Sequence, residues 1–239
     1  MTSPSPCPTH TRKLLLFGDS ITEFAFGTEP FSLGAALCSA YARRLDVLHR
    51  GYAGYNSRWA RPVLRDILAA HAPGDIAVAT LFFGANDACT GSPQAVPLPE
   101  FTENMRALLN QLRSHGACPV LMGLGLFDRE MWERAKPEQL ARGFVRSSAR
   151  QAEYDAALRQ LAQEERVPFV DLQRLFTENG GADYRVLLAD GLHFSAEGYR
   201  IWYDELLAVI ARECPEWHPD NMQQRYPLWG DCLPDGSNI

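Results

Sequence analysis

Continuous apolar runs alternate along the chain with stretches of helical periodicity. The apolar runs lie at positions 13–17, 45–49, 76–83, 119–124 and 167–170, and such runs are typical of strands buried on both faces of a parallel sheet. Apolar residues at spacings of three and four predict helices at positions 31–44, 57–71, 99–115, 146–166 and 195–212. The alternation predicts an α/β protein, a three-layer α/β/α sandwich around a five-stranded parallel sheet.

Three segments depart from this alternation. Residues 1–12 are rich in proline and have no apolar core, so we expect a disordered segment there, ahead of a main domain at 13–213. Residues 127–148 are polar and are broken by Pro137 and Gly143, which indicates an insertion carrying short helices. Residues 214–239 lack periodicity but keep Trp217, Tyr226 and Leu228, which predicts an arm that packs on the domain or on a second subunit.

Composition narrows the classes of partner. The 23 Lys and Arg residues are outnumbered by 29 Asp and Glu residues, and the formal net charge of −6 disfavours a nucleic-acid partner. No apolar run approaches the roughly 20 residues that cross a bilayer, so no membrane anchor is expected. The first dozen residues have no signal-peptide pattern, which predicts an intracellular, cytoplasmic location.

The cysteines and the missing cofactor motifs narrow the chemistry. The six cysteines are scattered without a CxxC pair, and in a reducing compartment this predicts separate thiols and no structural disulfide. The chain has no HExxH motif, no Cys/His cluster and no P-loop, and GLGLFD at 123–128 lacks the third glycine of a dinucleotide-binding loop. We therefore expect neither a metal site nor a cofactor.

Polar residues follow several of the predicted strands, at the edge where doubly wound sheets bind ligands. Ser20 follows the first strand in the sequence GDS, and His193 lies in the sequence DGLH before the last helix. A serine hydroxyl is a weak nucleophile until a base removes its proton. We therefore assign Ser20 as the nucleophile, His193 as its base and Asp190 as the carboxylate that orients the imidazole. Gly18 would provide the backbone freedom of the tight turn before Ser20.

Four blocks carry a resemblance to a known family: GDS at 18–20, a glycine block at 51–56, GAND at 84–87 and DGLH at 190–193. Together and in this order they resemble the signature of the SGNH hydrolases, also called GDSL esterases and lipases, over about residues 13–212. The resemblance implies the flavodoxin-like SGNH hydrolase fold. It also implies an oxyanion hole formed by the backbone N–H groups of Ser20 and Gly54 and the side-chain amide of Asn86.

The segments FGDSITEF, RGYAGYNSRWA, GANDAC, VPLPEF and DGLHFS, with HPDNM and DGSNI in the tail, further resemble the isoamyl acetate-hydrolysing esterases. That resemblance implies a small ester substrate with a short acyl group, acetate above all, and a medium-length alkyl alcohol. Phe24, Trp59 and Phe127 are candidates for the apolar walls of the substrate pocket, although aromatic residues pack in cores just as often. The resemblance and the aromatic tail together suggest a homodimer.

Simpler explanations exist for each of these residues taken singly. Ser20 could be a helix N-cap, Asn86 and Asp87 a turn, and Gly54 an ordinary loop glycine. These explanations do not predict that all four blocks occur together, which favours a serine hydrolase. A GxSxG elbow is absent because Thr22 occupies the position of its second glycine, which disfavours the α/β-hydrolase class. Two alternatives stay open: a thioesterase or lysophospholipase of the same superfamily, and a non-catalytic binding protein on this scaffold.

Overall fold

Five parallel strands form the central sheet of the computed structural model, which describes residues 11–28 and 30–239. The strands are β1 (Lys13–Gly18), β2 (Asp46–Gly51), β3 (Ile76–Phe82), β4 (Cys118–Met122) and β5 (Phe169–Val170). Their order across the sheet is β2-β1-β3-β4-β5, and every neighbouring pair is parallel. The predicted α/β fold with five parallel strands is confirmed. Of the N-terminal segment 1–12 that we expect to be disordered, residues 1–10 lie outside the described residues.

Burial along the strands explains their apolar runs. Every residue of β1 and β3, at the centre of the sheet, is buried. The edge strand β2 is only half-buried and carries Asp46 and His49, because an edge strand is covered less completely than a central one. The apolar runs at 13–17 and 76–83 therefore correspond to the two central strands, and Ser20 comes after the first of them and Asn86 after the second.

Helices alternate with the strands. They are α1 (Ser20–Phe24), α2 (Leu33–Ala40), α3 (Ser57–Ala69), α4 (Leu98–Ser114), α5 (Arg129–Ala135), α6 (Pro137–Ala141), α7 (Ser148–Glu165), α8 (Leu172–Asn179) and α9 (Ala196–Glu213). Helix α4 contacts α3 and α7 in one layer, and α9 contacts α2 and α8 in the other. No helix within the described ranges is long and apolar enough to cross a membrane.

Two helices were not predicted and one is shorter than expected. Helix α1 has only five residues and α8 has eight, too few turns for a periodic pattern to stand out. Helix α2 begins after the N-cap Ser32 and ends at Ala40, whereas the pattern predicted a helix at 31–44. The chain turns instead at Arg43, whose φ of 62° is incompatible with a continuing helix. The insertion at 127–148 carries the short helices α5 and α6, as its sequence indicates.

The first half of the C-terminal arm, residues 214–239, lies along the domain. The Tyr41 hydroxyl donates a hydrogen bond to the carbonyl oxygen of Trp217 at 3.0 Å, and the Arg43 guanidinium donates to the carbonyl oxygens of three consecutive residues at 225–227. Beyond them the side chains of Leu228 and Trp229 face solvent, and Trp229 is 92% exposed. The arm therefore packs on its own domain at its start and leaves apolar side chains uncovered at its end.

The structure joins Cys118 to Cys214 in a disulfide, so the prediction of separate thiols was wrong for this pair. Cys118 begins β4 and Cys214 caps the C-terminus of α9. The chain enters α9 from the carboxyl edge of the sheet and runs back toward the opposite edge, where β4 begins. The two residues are 96 positions apart in the sequence, and nothing in their spacing indicates that they meet.

Candidate active site

The four sequence blocks meet at the carboxyl edge of the sheet. Ser20 is the first residue of α1, one residue after the end of β1, and Gly54 lies in the loop between β2 and α3. Asn86 lies in the loop after β3, and Asp190 and His193 lie in the loop that leads into α9. All five residues line one cavity of about 210 Å³. The fold thus brings together every residue that we assign to the triad and the oxyanion hole.

Two hydrogen bonds connect Ser20, His193 and Asp190. The Ser20 Oγ lies 2.8 Å from His193 Nε2, and His193 Nδ1 lies 2.7 Å from Asp190 Oδ2. The other oxygen of Asp190 accepts hydrogen bonds from the backbone N–H groups of Leu192 and His193. Burial favours the neutral carboxyl, but the hydrogen bonds and the attraction of His193 outweigh it, so the pKa of Asp190 lies below its ordinary value. An ionised Asp190 can balance a positive charge on His193.

Ser20 is not the N-cap of α1. That place belongs to Asp19, whose Oδ1 accepts a hydrogen bond from the Ile21 N–H at 3.0 Å. Because the cap is already provided, the Ser20 hydroxyl is available for His193. Burial raises the pKa of Asp19 to about 6, against the lowering effects of the Ile21 hydrogen bond and of His193 and Arg146.

Gly18 serves the site differently from our expectation. Its φ does not lie in the left-handed region; instead, a Cβ at this position would lie 2.0 Å from Thr22 Oγ1 and 2.7 Å from the carbonyl oxygen of Phe82. The absence of a side chain lets α1 fold back closely against β1 and β3. Close approach, rather than an unusual backbone conformation, therefore explains the glycine before Ser20.

The candidate oxyanion donors are held by hydrogen bonds, and two of the partners, Gln94 and Arg146, lie outside the four blocks. Gly54 has a φ of 82°, in the region that favours glycine, and its carbonyl oxygen accepts a hydrogen bond from Gln94 Nε2 at 2.7 Å. The Asn86 Nδ2 donates to the carbonyl oxygen of Tyr55 at 2.9 Å, and its Oδ1 accepts from Arg146 Nη2 at 2.9 Å. The Asn86 amide thus has a defined orientation beside Ser20.

Asp87 has a structural place next to the site rather than in it. Its carboxylate accepts hydrogen bonds from the backbone N–H and the hydroxyl of Ser57, at the start of α3. Burial raises the pKa of Asp87 to about 7, although the Ser57 hydrogen bonds favour the charged form. These bonds tie the loop after β3 to α3 and so fix the backbone on which Asn86 stands.

The structure places one of the three predicted pocket aromatics at the cavity. Phe24 lines it, with its ring centroid 4.9 Å from that of His193. Trp59 and Phe127 do not line it. Trp59 faces outward beside Tyr55, and Phe127 is buried against Trp132.

Sequence reasoning missed the residues that the insertion brings to the cavity. Trp132 of α5, Lys136 and Gln139 line it, together with Arg146 just before α7. The Trp132 ring centroid lies 6.0 Å from that of His193, and the Arg146 guanidinium lies over the same indole, 5.0 Å from its centroid. A tryptophan within an otherwise charged segment was the available signal, because such a side chain needs a place to be buried.

Comparison with known proteins agrees with the fold and with the four blocks. Residues 16–201 match the GDSL-like lipase/acylhydrolase family. The chain is 50% identical over 234 residues to an isoamyl acetate-hydrolyzing esterase of Saccharomyces cerevisiae, covering 95% of this chain and 98% of the relative. It is 33% identical over 226 residues to the isoamyl acetate-hydrolyzing esterase 1 homolog of Homo sapiens, covering 92% and 87%.

Solved structures share the architecture at lower identity. The lipase/acylhydrolase from Enterococcus faecalis superposes with a TM-score of 0.64 at 23% identity, covering 91% of this chain and 100% of that structure. An acetylxylan esterase from Geobacillus stearothermophilus superposes with a TM-score of 0.64 at 21% identity, covering 83% and 94%. With a family match over most of its length and a relative that shares half of its residues, the chain belongs to the GDSL-like lipase/acylhydrolase family and is a carboxylic ester hydrolase.

Proposed function

We propose that this esterase hydrolyses acetate esters of medium-length alkyl alcohols, such as isoamyl acetate, through an acyl-enzyme at Ser20. The observation that carries the proposal is the pair of hydrogen bonds that links Ser20 to His193 and His193 to Asp190. These three residues line one cavity together with Gly54 and Asn86. The half-identical yeast relative, an isoamyl acetate-hydrolyzing esterase, supports the particular substrate.

The first half of the reaction transfers the acyl group to the enzyme. His193 Nε2 takes the hydroxyl proton of Ser20 as Oγ attacks the ester carbonyl carbon, and Asp190 stabilises the imidazolium that forms. The carbonyl electrons move onto oxygen, which accepts hydrogen bonds from the N–H groups of Ser20 and Gly54 and from Asn86 Nδ2. When the intermediate collapses, His193 returns the proton to the leaving alkoxide and the alcohol departs.

The second half returns the enzyme to its starting state. His193 removes a proton from a water molecule, and the hydroxide attacks the carbonyl carbon of the acyl-Ser20 ester. The same three donors stabilise the second oxyanion. As the bond between the acyl carbon and Ser20 Oγ breaks, Oγ regains its proton from His193, and the carboxylic acid is released.

The first experiment compares initial rates of isoamyl acetate hydrolysis by the wild-type protein, Ser20→Ala and Ser32→Ala. Ser32 is a matched control because it caps α2 and does not line the cavity. We expect hydrolysis by the wild type and by Ser32→Ala, and none by Ser20→Ala, with circular dichroism showing all three folded. Hydrolysis by Ser20→Ala at the wild-type rate would overturn the assigned nucleophile.

Acyl length tests the substrate separately from the mechanism. We expect acetate esters to be hydrolysed faster than octanoate esters of the same alcohol, because the half-identical yeast relative is an isoamyl acetate-hydrolyzing esterase. Faster hydrolysis of octanoate, or activity confined to thioesters or lysophospholipids in a parallel panel, would favour the thioesterase or lysophospholipase alternative. Failure of a phosphonate probe to label Ser20 would favour a non-catalytic binding protein.

We also propose that two copies associate through the end of the C-terminal arm. Leu228, Trp229 and Leu233 are more than half exposed there, and a contiguous group of exposed apolar side chains often marks a protein contact. Light scattering should give a dimer for the wild type and a monomer for the variant combining Leu228→Asp with Trp229→Asp. A monomeric wild type would dismiss the proposal.

The cytoplasmic location expected from the sequence stays a proposal. Cell fractionation with an antibody to the protein tests it, and we expect the signal in the cytosolic fraction. A compartment that is oxidising would contradict it and would agree better with the Cys118–Cys214 disulfide, because structural disulfides are rare in the cytosol.

A further inference from the structure

A buried arginine outside the four family blocks touches the candidate oxyanion hole. Arg146 precedes the N-cap of α7 and is only 8% exposed. Its Nη1 donates a hydrogen bond to the carbonyl oxygen of Ala85, and its Nη2 donates to Asn86 Oδ1 at 2.9 Å. The guanidinium carbon lies over the Trp132 ring, 5.0 Å from the ring centroid.

These contacts decide which way the Asn86 amide points. The two ends of an asparagine amide differ in chemistry but hardly in shape, so rotation by half a turn would exchange oxygen and nitrogen. The Arg146 guanidinium can only donate, so it holds Oδ1 on its own side. The Tyr55 carbonyl oxygen accepts one hydrogen of Nδ2 from the opposite side. The second Nδ2 hydrogen is then left for an oxygen atom in the cavity.

The charge of Arg146 also acts on the amide electronically. A hydrogen bond from a cation draws electron density toward Oδ1, which makes the Nδ2–H a stronger donor. The cost of burying this cation is considerable, and its Nε has no hydrogen-bond partner among the described residues. An apolar side chain would fill the same space without that cost, so packing alone does not explain an arginine here.

We infer that Arg146 is a positioning residue for ester hydrolysis: it orients and polarises the Asn86 amide so that its free Nδ2–H stabilises the oxyanion. The inference rests on the proposed function, since it gives Asn86 the role of an oxyanion donor. It also links the insertion to the reaction, because Trp132 of α5 supports the guanidinium that holds Asn86.

Arg150, one turn further along the chain, provides a matched control. Its Nε donates to the carbonyl oxygen of Ala88 at 3.0 Å, and its guanidinium lies over the Tyr154 ring. Arg146 and Arg150 therefore both fasten the loop after β3 and both stack on an aromatic ring. Only Arg146 contacts Asn86.

The test measures kcat and KM for p-nitrophenyl acetate with Arg146→Ala, Arg150→Ala, Asn86→Ala and the double variant Arg146→Ala with Asn86→Ala. We expect Asn86→Ala to lower kcat about 100-fold or more, as the loss of an oxyanion donor does. Arg146→Ala should lower kcat about 10-fold or more with KM changed by less than about threefold, since an interaction made only in the transition state is lost. Arg150→Ala should stay within about threefold of the wild type in both constants.

The double variant separates a positioning role from a general structural one. If Arg146 acts through Asn86, removing it from the Asn86→Ala protein should cost about twofold or less in kcat. A loss as large as in the wild-type background, or an equal loss in Arg150→Ala, would overturn the inference. If Arg146→Ala does not fold, the cycle is run with Arg146→Lys, whose single ammonium cannot bridge Ala85 and Asn86 as the planar fork does.

The outcomes also distinguish this inference from the function it rests on. If the wild type hydrolyses no ester, or if Asn86→Ala equals the wild type, the proposed function or its oxyanion hole fails, and the role of Arg146 falls with it. If Asn86→Ala is impaired while Arg146→Ala is not, only the role of Arg146 is wrong.

Discussion

Asp87 is a carboxyl group for which burial outweighs good hydrogen bonds. The fold raises its pKa to about 7, while an unfolded chain leaves it near 4. Between these values the native protein holds a proton that the unfolded chain has released, so the free energy of unfolding falls as the pH rises from about 4 to about 7. Asp87→Asn, which cannot ionise, should reduce this fall. Urea unfolding at pH 5 and pH 7.5 measures it, with Asp66→Asn on the exposed surface as the control. An unchanged pH dependence in Asp87→Asn would contradict the assignment.

Gly18 gives a second prediction at the scale of one residue. Gly18→Ala would bring a methyl group within 2.7 Å of the Phe82 carbonyl oxygen and closer still to Thr22, and neither the strand nor α1 can yield without moving Ser20. We expect the free energy of unfolding to drop by about 1 to 3 kcal/mol, together with a loss of esterase activity. Gly230→Ala is the control, because a Cβ there meets nothing within 4 Å. A Gly18→Ala protein as stable and active as Gly230→Ala would show that the close approach is not a constraint.

Helix α5 is an element whose N-terminus is tied to the loop that carries His193. Asp128 caps the helix by accepting from the Met131 N–H at 2.8 Å, its carboxylate also accepts from Arg185 Nε, and its own N–H donates to the Gly191 carbonyl oxygen. The element that holds Trp132 against His193 is thus anchored at one residue. It is therefore at this anchor that a single substitution should loosen the site.

Asp128→Ala should cost about 1 kcal/mol or more, the usual value of a lost cap, and should release α5. We expect faster hydrogen exchange of the amides in α5 and a lower kcat. Asp183→Ala serves as the control, since Asp183 caps a neighbouring single-turn helix through the Arg185 N–H and does not line the cavity. If exchange in α5 is equally fast in both variants, Asp128 is not its anchor.

The elements also show what the sequence could and could not predict. Strands and long helices were predictable because burial of β1 and β3 on both faces requires apolar runs and because amphipathic helices repeat every three to four residues. The residues that we assign to the triad could be selected from the sequence because each lies near the end of a strand or the start of a helix. Arg146 was not, because its contact with Asn86 joins residues 60 positions apart across an insertion of irregular sequence. Only the folded loops bring this cation to the amide.

At the scale of the whole molecule, the disulfide between Cys118 and Cys214 closes a loop of 96 residues that spans β4 to the end of α9. Such a link restricts the unfolded chain much more than the native one. Disulfides typically stabilise a protein by about 2 to 4 kcal/mol, and the loss of chain entropy alone gives about 4.7 kcal/mol for a loop of about 100 residues. Reduction should therefore lower the free energy of unfolding of the wild type by an amount in this range. Reduction should not change the free energy of unfolding of the variant that combines Cys118→Ala with Cys214→Ala.

Alkylation and mass spectrometry check that the bond forms before its effect on stability is interpreted. In denaturant, two more thiols of the wild type should react with iodoacetamide after reduction than before, while the double variant should show no difference. Urea unfolding curves with and without reductant then measure the free energy. The loop with Asp190 and His193 precedes α9, and the disulfide fixes only the far end of this helix. Reduction should therefore lower the free energy of unfolding and leave the kcat of the folded protein nearly unchanged. Equal numbers of reactive thiols before and after reduction would mean that β4 and α9 are held together by packing alone.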